Sequence, residues 1–142
     1  MRLNEILRSK GGQVVTITPD AAISELVDLF ARHNIGAAIV SQDGSAIDGI
    51  VSERDVVRSL RAGTDVLQNR VDTIMTSTVF SAKPTDTVDE LARVMTEHRI
   101  RHVPVLEGDR IAGIVSIGDV VKSRIGELEF ERNQLEGYIA GS

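Results

Sequence analysis

Two stretches of this chain are copies of each other. Residues 18–40, TPDAAISELVDLFARHNIGAAIV, align with 83–105, KPTDTVDELARVMTEHRIRHVPV, at an offset of 65. That alignment matches Glu25, Leu26, His33, Ile35 and Val40 with Glu90, Leu91, His98, Ile100 and Val105, and Ile23 with Val88. One deletion then shifts the offset to 64, where IDGIVSERDVV at 47–57 meets IAGIVSIGDVV at 111–121. The leaders also correspond, LNEIL at 3–7 with VDTIM at 71–75, while SKGG at 9–12 belongs to the first copy alone. A unit this small has a sheet with one face left to cover, so two copies are expected to pack sheet to sheet with pseudo-twofold symmetry.

Periodicity within each copy predicts the order β-α-β-β-α, an α/β (α+β) fold. Ile23, Leu26, Val27 and Phe30 recur at helical spacing, as do Val88, Leu91, Val94 and Met95, each set after a proline-containing start. The apolar runs at Ala37–Val40 and His102–Leu106 read as strands. The turns QDGS and EGDR join them to further strands at Ile47–Val51 and Ile111–Val115. A brief first strand is expected near Val14–Thr16 or Val79–Ser81, and the second helix opens at Ser52 or Ser116. From Val120 to Ile139 the last helix continues as a C-terminal extension. Val121, Ile125, Leu128, Leu135 and Ile139 fall at alternating spacings of four and three, with Arg132 interrupting. Such a stripe either lies back on its own module or joins a second chain, and a homodimer is the expectation. Gly137 and Gly141 with Ser142 are expected to release this helix.

Composition narrows the function classes. Twenty-one acidic against 16 Lys and Arg residues give a formal charge of -5, which opposes broad electrostatic binding to nucleic acid. Aromatic content of 3% leaves little for base stacking. The absence of cysteine excludes disulfides, thiolate zinc sites and a Cys nucleophile, and fits a reducing compartment, with the cytoplasm as the expectation. MRLNEILRSK carries charges at positions 2, 5, 8 and 10 and so contains no secretory apolar segment. No apolar run approaches the roughly 20 residues that span a bilayer.

The residues that could carry chemistry cluster at equivalent points of the two copies. In Ser52-Glu53-Arg54-Asp55 and Ser116-Ile117-Gly118-Asp119 a strand ends and a helix begins, with Ser at the N-cap and Asp at the third helical position. This is a capping arrangement. The same groups could offer N–H and hydroxyl donors to a phosphate and a carboxylate to a ribose diol. Arg99, Arg101 and His102 precede the strand at Val103; they read as a solvated face or, since neighbours on a strand point oppositely, as cations serving either of two clefts. Their first-copy counterparts include Gly36 and Ala37, which leave space for a base or ribose. Lys10 with Gly11 and Gly12 reads as a flexible turn or a phosphate contact. His33 and His98, at helix C-termini, read as structural. No metal-ligand cluster, nucleophile elbow, G-x-G-x-x-G or P-loop is present, so neither a metal nor an enzyme is expected.

The order of elements, GIVSERD, GIVSIGD, HRIRHVPV and the DTIMT linker together resemble a tandem cystathionine β-synthase (CBS) domain pair, or Bateman module, of the stand-alone type, over residues 1 to about 125. The resemblance implies a first repeat with its leader at 1–63, a linker and second repeat at 64–124, and a helical extension at 125–142. It implies a regulatory module that binds an adenosine nucleotide (AMP, ADP, ATP or NAD(H)) as a ligand, not a catalytic cofactor, and signals to a partner protein. In that reading Ser52 and Ser116 bind phosphate, Asp55 and Asp119 bind ribose, Arg101 and His102 supply phosphate-binding cations, and the backbone of Val14 and Val79 lies near adenine. The cleft holding Ser116, Ile117, Gly118 and Asp119 is expected to be the principal one, served by Arg101 and His102, while Arg54 could supply a cation beside Asp55. A structural dimerisation adaptor is the alternative.

Overall fold

The computed structural model describes residues 1–11, 14–77 and 79–141. Gly12 of the Lys10 loop and Ser142 of the expected helix release lie outside them. The repeat seen in sequence is a repeat in space. Helices α2 (Ile23–His33) and α4 (Val88–His98) have equal length, bury Ile23, Leu26 and Phe30 or Val88, Leu91 and Met95, and end in left-handed residues at the equivalent positions Asn34 and Arg99. The buried stripe is narrower than the periodicity suggests, since Val27 is exposed and Val94 half-buried. His33 and His98 close the two helices as expected.

Strands β1 (Thr16–Ile17), β2 (Ala37–Val40) and β3 (Gly49–Ser52) form one sheet in that order, β1 parallel and β3 antiparallel to β2. Strands β4 (His102–Glu107) and β5 (Arg110–Ser116) form an antiparallel pair. The opening strand of each repeat falls later than expected. The first is Thr16–Ile17, and the second shrinks to a single parallel bridge from Ala82 to Val105. Proline explains the shrinkage. Thr16 pairs with Ile39, whereas the equivalent pairing of Ser81 would need an N–H from Pro104, which has none. Only the bonds from Ala82 N–H to the Pro104 carbonyl (2.9 Å) and from Leu106 N–H to the Ala82 carbonyl (2.8 Å) remain.

Buried side chains fall into two clusters, one per repeat. Ala38 and Val40 point into the first, Val103 and Val105 into the second. By strand alternation Ile39 and its equivalent Pro104 face the other way, yet both are fully buried. Both faces of the central strands are therefore covered, as sheet-to-sheet packing of the repeats requires.

The leaders are exchanged. Leu3 and Ile6 of α1 (Leu3–Ser9) belong to the second repeat's cluster, while Val71, in the 3-10 turn Val71–Thr73, belongs to the first. Equivalent antiparallel bridges, Arg2 to Thr87 and Arg70 to Ala22, fix both leaders at the starts of α4 and α2. Two equivalent glycines admit them. A Cβ on Gly49 would stand 2.7 Å from the Thr76 carbonyl oxygen and 2.8 Å from the Met75 sulfur, and one on Gly113 would stand 2.5 Å from a Leu7 methyl. Met75 and Leu7 are themselves leader equivalents.

The second helices differ. α3 (Glu53–Ser59) is short, but α5 runs from Ile117 to Gly141. The expected release at Gly137 does not occur: a lone interior glycine costs only about 1 kcal/mol in a helix, and Leu135, Glu136 and Ala140 around it are good helix formers. Val120 is buried at the base of α5, whereas Val121, Ile125, Leu128, Leu135 and Ile139 are all exposed. No described helix is long and apolar enough to cross a membrane.

Candidate functional site

The two Ser-to-Asp motifs form the caps expected of them. Asp55 Oδ2 accepts from the Ser52 N–H at 2.8 Å and its hydroxyl at 3.1 Å, and the Asp55 N–H donates to Ser52 Oγ at 3.3 Å. In the second repeat the Ser116 N–H donates to Asp119 Oδ2 at 2.9 Å, and the Asp119 N–H to Ser116 Oγ at 3.1 Å. Each helix start is tied to the mouth of the preceding strand through an equivalent bond, Glu53 N–H to the Gly36 carbonyl (3.0 Å) and Ile117 N–H to the Arg101 carbonyl (2.8 Å). The capping reading is thus satisfied in full, and it occupies one oxygen of each carboxylate.

A cavity of about 460 Å³ lies between the repeats, within the roughly 300–1,000 Å³ usual for small-molecule sites. Gly36, Ala37, Ser52, Arg54 and Asp55 line it from the first repeat, and Arg99, Arg101 and His102 from the second. Arg101 and His102, expected to serve the Ser116–Asp119 side, line this cavity beside Ser52 and Asp55, and His102 also lies within electrostatic reach of Lys10 and Asp119. Neighbouring side chains at a strand mouth point to opposite sides, so the sequence alone does not assign the pair to one cleft. Glu53, Arg58 and Thr76 also line the cavity and were not singled out from sequence. Arg58 follows Arg54 by four residues, a helical spacing that could have revealed it. Val14 and Val79 are half-buried and lie outside this lining.

The Ser116–Asp119 side is held by Lys10. Its ammonium donates to Asp119 Oδ2 and to the Ile114 carbonyl, both at 2.8 Å. Burial alone would raise the Asp119 carboxyl, but the Lys10 ammonium and the bonds from Ser116 outweigh it and hold the group below the usual carboxylate value. Lys10 thus pairs with an internal carboxylate. His102 sits between the two sides. Burial, reinforced by Lys10 and Arg101 and opposed by Asp119 and Glu53, lowers its pKa below the ordinary imidazole value and so favours the neutral ring. Ile117 and Gly118 are exposed at the start of α5. Among the described residues no group of His, Asp and Glu could hold a metal ion. A larger groove of about 670 Å³ runs between α2 and α3 of the first repeat, along Val27, Phe30 and Val57, with Asn34 and Glu53 adding polar groups.

Comparison with known proteins agrees with this architecture. The CBS domain family matches twice, over residues 5–62 and 71–126. The CBS domain-containing protein CBSX3, mitochondrial, of Arabidopsis thaliana is 33% identical over 98% of this chain and 72% of its own length. The crystal structure of the CBS-domain containing protein ATU1752 from Agrobacterium tumefaciens superposes with a TM-score of 0.82 at 43% identity, covering 87% of this chain and 99% of that one. The CBS domain pair of protein MJ0100, solved in complex with 5-methylthioadenosine and S-adenosyl-L-methionine, gives a TM-score of 0.78 at 25% identity, covering 89% of this chain and 98% of that one. With two matched domains, exchanged leaders and paired caps about one intervening cavity, the chain belongs to the CBS-domain family and carries a tandem CBS pair.

Proposed function

We propose that this CBS pair is a regulatory module that senses an adenosine nucleotide, AMP, ADP, ATP or NAD(H), between its two repeats and passes occupancy to a partner protein. The carrying observation is that the 460 Å³ cavity draws its lining from both repeats, Ser52 and Asp55 from one and Arg101 and His102 from the other. A ligand there contacts both and so favours one arrangement of the repeats over another, which is the physical requirement for a signal. Asp55 directs only Oδ2 into its cap, which leaves Oδ1 for a ribose hydroxyl. The adenosyl ligands of the MJ0100 pair support the ligand class. The role is regulatory rather than catalytic, and the compartment is the cytoplasm. Calorimetric titration of the purified chain with adenosine, AMP, ADP, ATP and NAD(H) tests the reading: at least one binds, and Asp55→Asn weakens it. Absence of heat with every adenosine compound at millimolar concentration overturns it.

A specific observation favours assembly with a second copy. Leu128 and Leu135 of α5 are 57% and 63% exposed, although they lie on one stripe with Val121, Ile125 and Ile139. We place the same face of another α5 against this stripe in a homodimer. The adaptor alternative keeps this dimer and dispenses with the nucleotide.

A further inference from the structure

Four arginines converge on the cavity between the repeats. Arg54 and Arg58 stand one turn apart on α3, while Arg99 and Arg101 flank Ile100 on the approach to β4. None of the four guanidinium groups makes a side-chain ion pair or hydrogen bond among the described residues, a state they share with other surface arginines such as Arg32 and Arg93; what sets these four apart is that they line one cavity. The acids of the lining are Glu53 and Asp55, and Asp55 is already bound to Ser52. Two positive charges are left in excess at this cavity, in a chain whose formal charge is -5.

Arg99 adds an independent sign. It terminates α4 with φ 55°, in the left-handed region that glycine and asparagine tolerate best, and its equivalent in the first repeat is Asn34 at φ 51°. The second repeat thus places a long cationic side chain where the backbone favours a smaller one. The left-handed residue closes the helix in both repeats, so what is particular to Arg99 is the charge it brings to the cavity edge.

We infer that this cavity seats a chain of two or three phosphates, so that the module selects nucleoside di- and triphosphates over monophosphates and over cationic adenosyl compounds. The inference rests on the adenosine-nucleotide reading and adds the charge class of the ligand. A guanidinium fork matches two phosphate oxygens at once, and four forks from two repeats exceed what one phosphate can engage. A sulfonium would instead enter a site with positive excess.

Calorimetry on the full chain at low salt, with adenosine, AMP, ADP, ATP, S-adenosylmethionine and inorganic tripolyphosphate as probes, tests it. ATP should bind at least about ten-fold more tightly than AMP, a gap that narrows when salt is raised to about 0.5 M. Arg54→Gln and Arg99→Asn, both exposed and the second relieving backbone strain, should each shrink the ATP-to-AMP ratio. Equal affinity for AMP and ATP, or S-adenosylmethionine binding as tightly as ATP, overturns the inference while the adenosine reading stands. Tripolyphosphate binding without any adenosine compound sustains the arginine site and removes the adenosine reading. Silence from every probe removes both.

Discussion

Lys10 Nζ lies 2.8 Å from Asp119 Oδ2, and that ion pair joins the end of α1 to the first turn of α5. At the equivalent place in the first repeat Asp55 has no ion-pair partner among the described residues and faces the cavity. Two carboxylates that sequence makes equivalent are thereby given different work, one to hold the exchanged leader and one to line the cavity.

The first prediction concerns that pair and pH. Asp119 is held below the usual carboxylate value, so its stabilising contribution is complete above the unfolded value of about 3.9 and is lost as pH falls through the lower folded value. Both side chains are partly exposed, 38% for Lys10 and 21% for Asp119, so solvent screening limits the pair to about 0.2–1 kcal/mol. Urea unfolding of Lys10→Met should show that loss at pH 7 and nearly none at pH 2. A loss of the same size at both pH values would mean that Lys10 acts through its packing alone.

A second prediction separates the clefts. Asp55→Asn should weaken nucleotide binding by roughly ten- to a hundred-fold, since a charge-assisted bond to ribose contributes about 1.5–3 kcal/mol. Asp119→Asn should leave the tight event within a few-fold of the parent, because that carboxylate already serves Lys10. Both substitutions disturb a cap at a cost of about 0.5–2 kcal/mol, so circular dichroism must first establish folding. Titration in which Asp119→Asn alone removes the tight event would return the principal role to the second cleft.

These contrasts mark where sequence reasoning succeeded and where it stopped. The duplicated Ser-x-x-Asp spacing determines a local hydrogen-bond pattern, and both caps were legible for that reason. Which cavity Arg101 and His102 line was not, because strand alternation satisfies either side. The exchange of leaders was hidden as well: Leu3 and Val71 carry the same apolar signal whichever repeat they cover. Pro104 reduced the second repeat's opening strand to one bridge through a missing N–H, a cause visible in sequence once the pairing register is known. Arg99 was noticed as a charge, but its left-handed backbone comes only from the structure.

Third, the equivalent glycines should tolerate alanine unequally. The methyl of Gly49→Ala meets a backbone carbonyl, that of Thr76, at 2.7 Å, so the linker must move. The methyl of Gly113→Ala meets the far end of Leu7, which can turn. Overpacking typically costs about 1–3 kcal/mol, and Gly49→Ala should fall at the upper end and Gly113→Ala at or below the lower. Denaturant titration measures both, and the double variant Gly113→Ala with Leu7→Ala should remove the steric part at Gly113. An equal cost at the two glycines would show that the leaders shift as readily as a side chain rotates.

The last prediction concerns α5. Its stripe from Val121 to Ile139 alternates by four and three, the spacing at which one helix seats another, and every apolar member is exposed. Arg132 falls within the stripe and lies 3.9 Å from Glu136 on its own helix, which places a partly neutralised charge at the seam. Leu128→Glu with Leu135→Glu sets like charges against each other across a two-fold seam without touching the buried clusters, to which neither residue belongs. Sedimentation of the parent at micromolar concentration should show a dimer and the double variant a monomer, with both unfolding at the same denaturant concentration once the dimer's own contribution is removed by dilution. Truncation after Ile125 should act the same way, because the second repeat's cluster closes at Val120. A dimer that survives both changes would move the interface to the other exposed apolar surface, the groove along Val27, Phe30 and Val57.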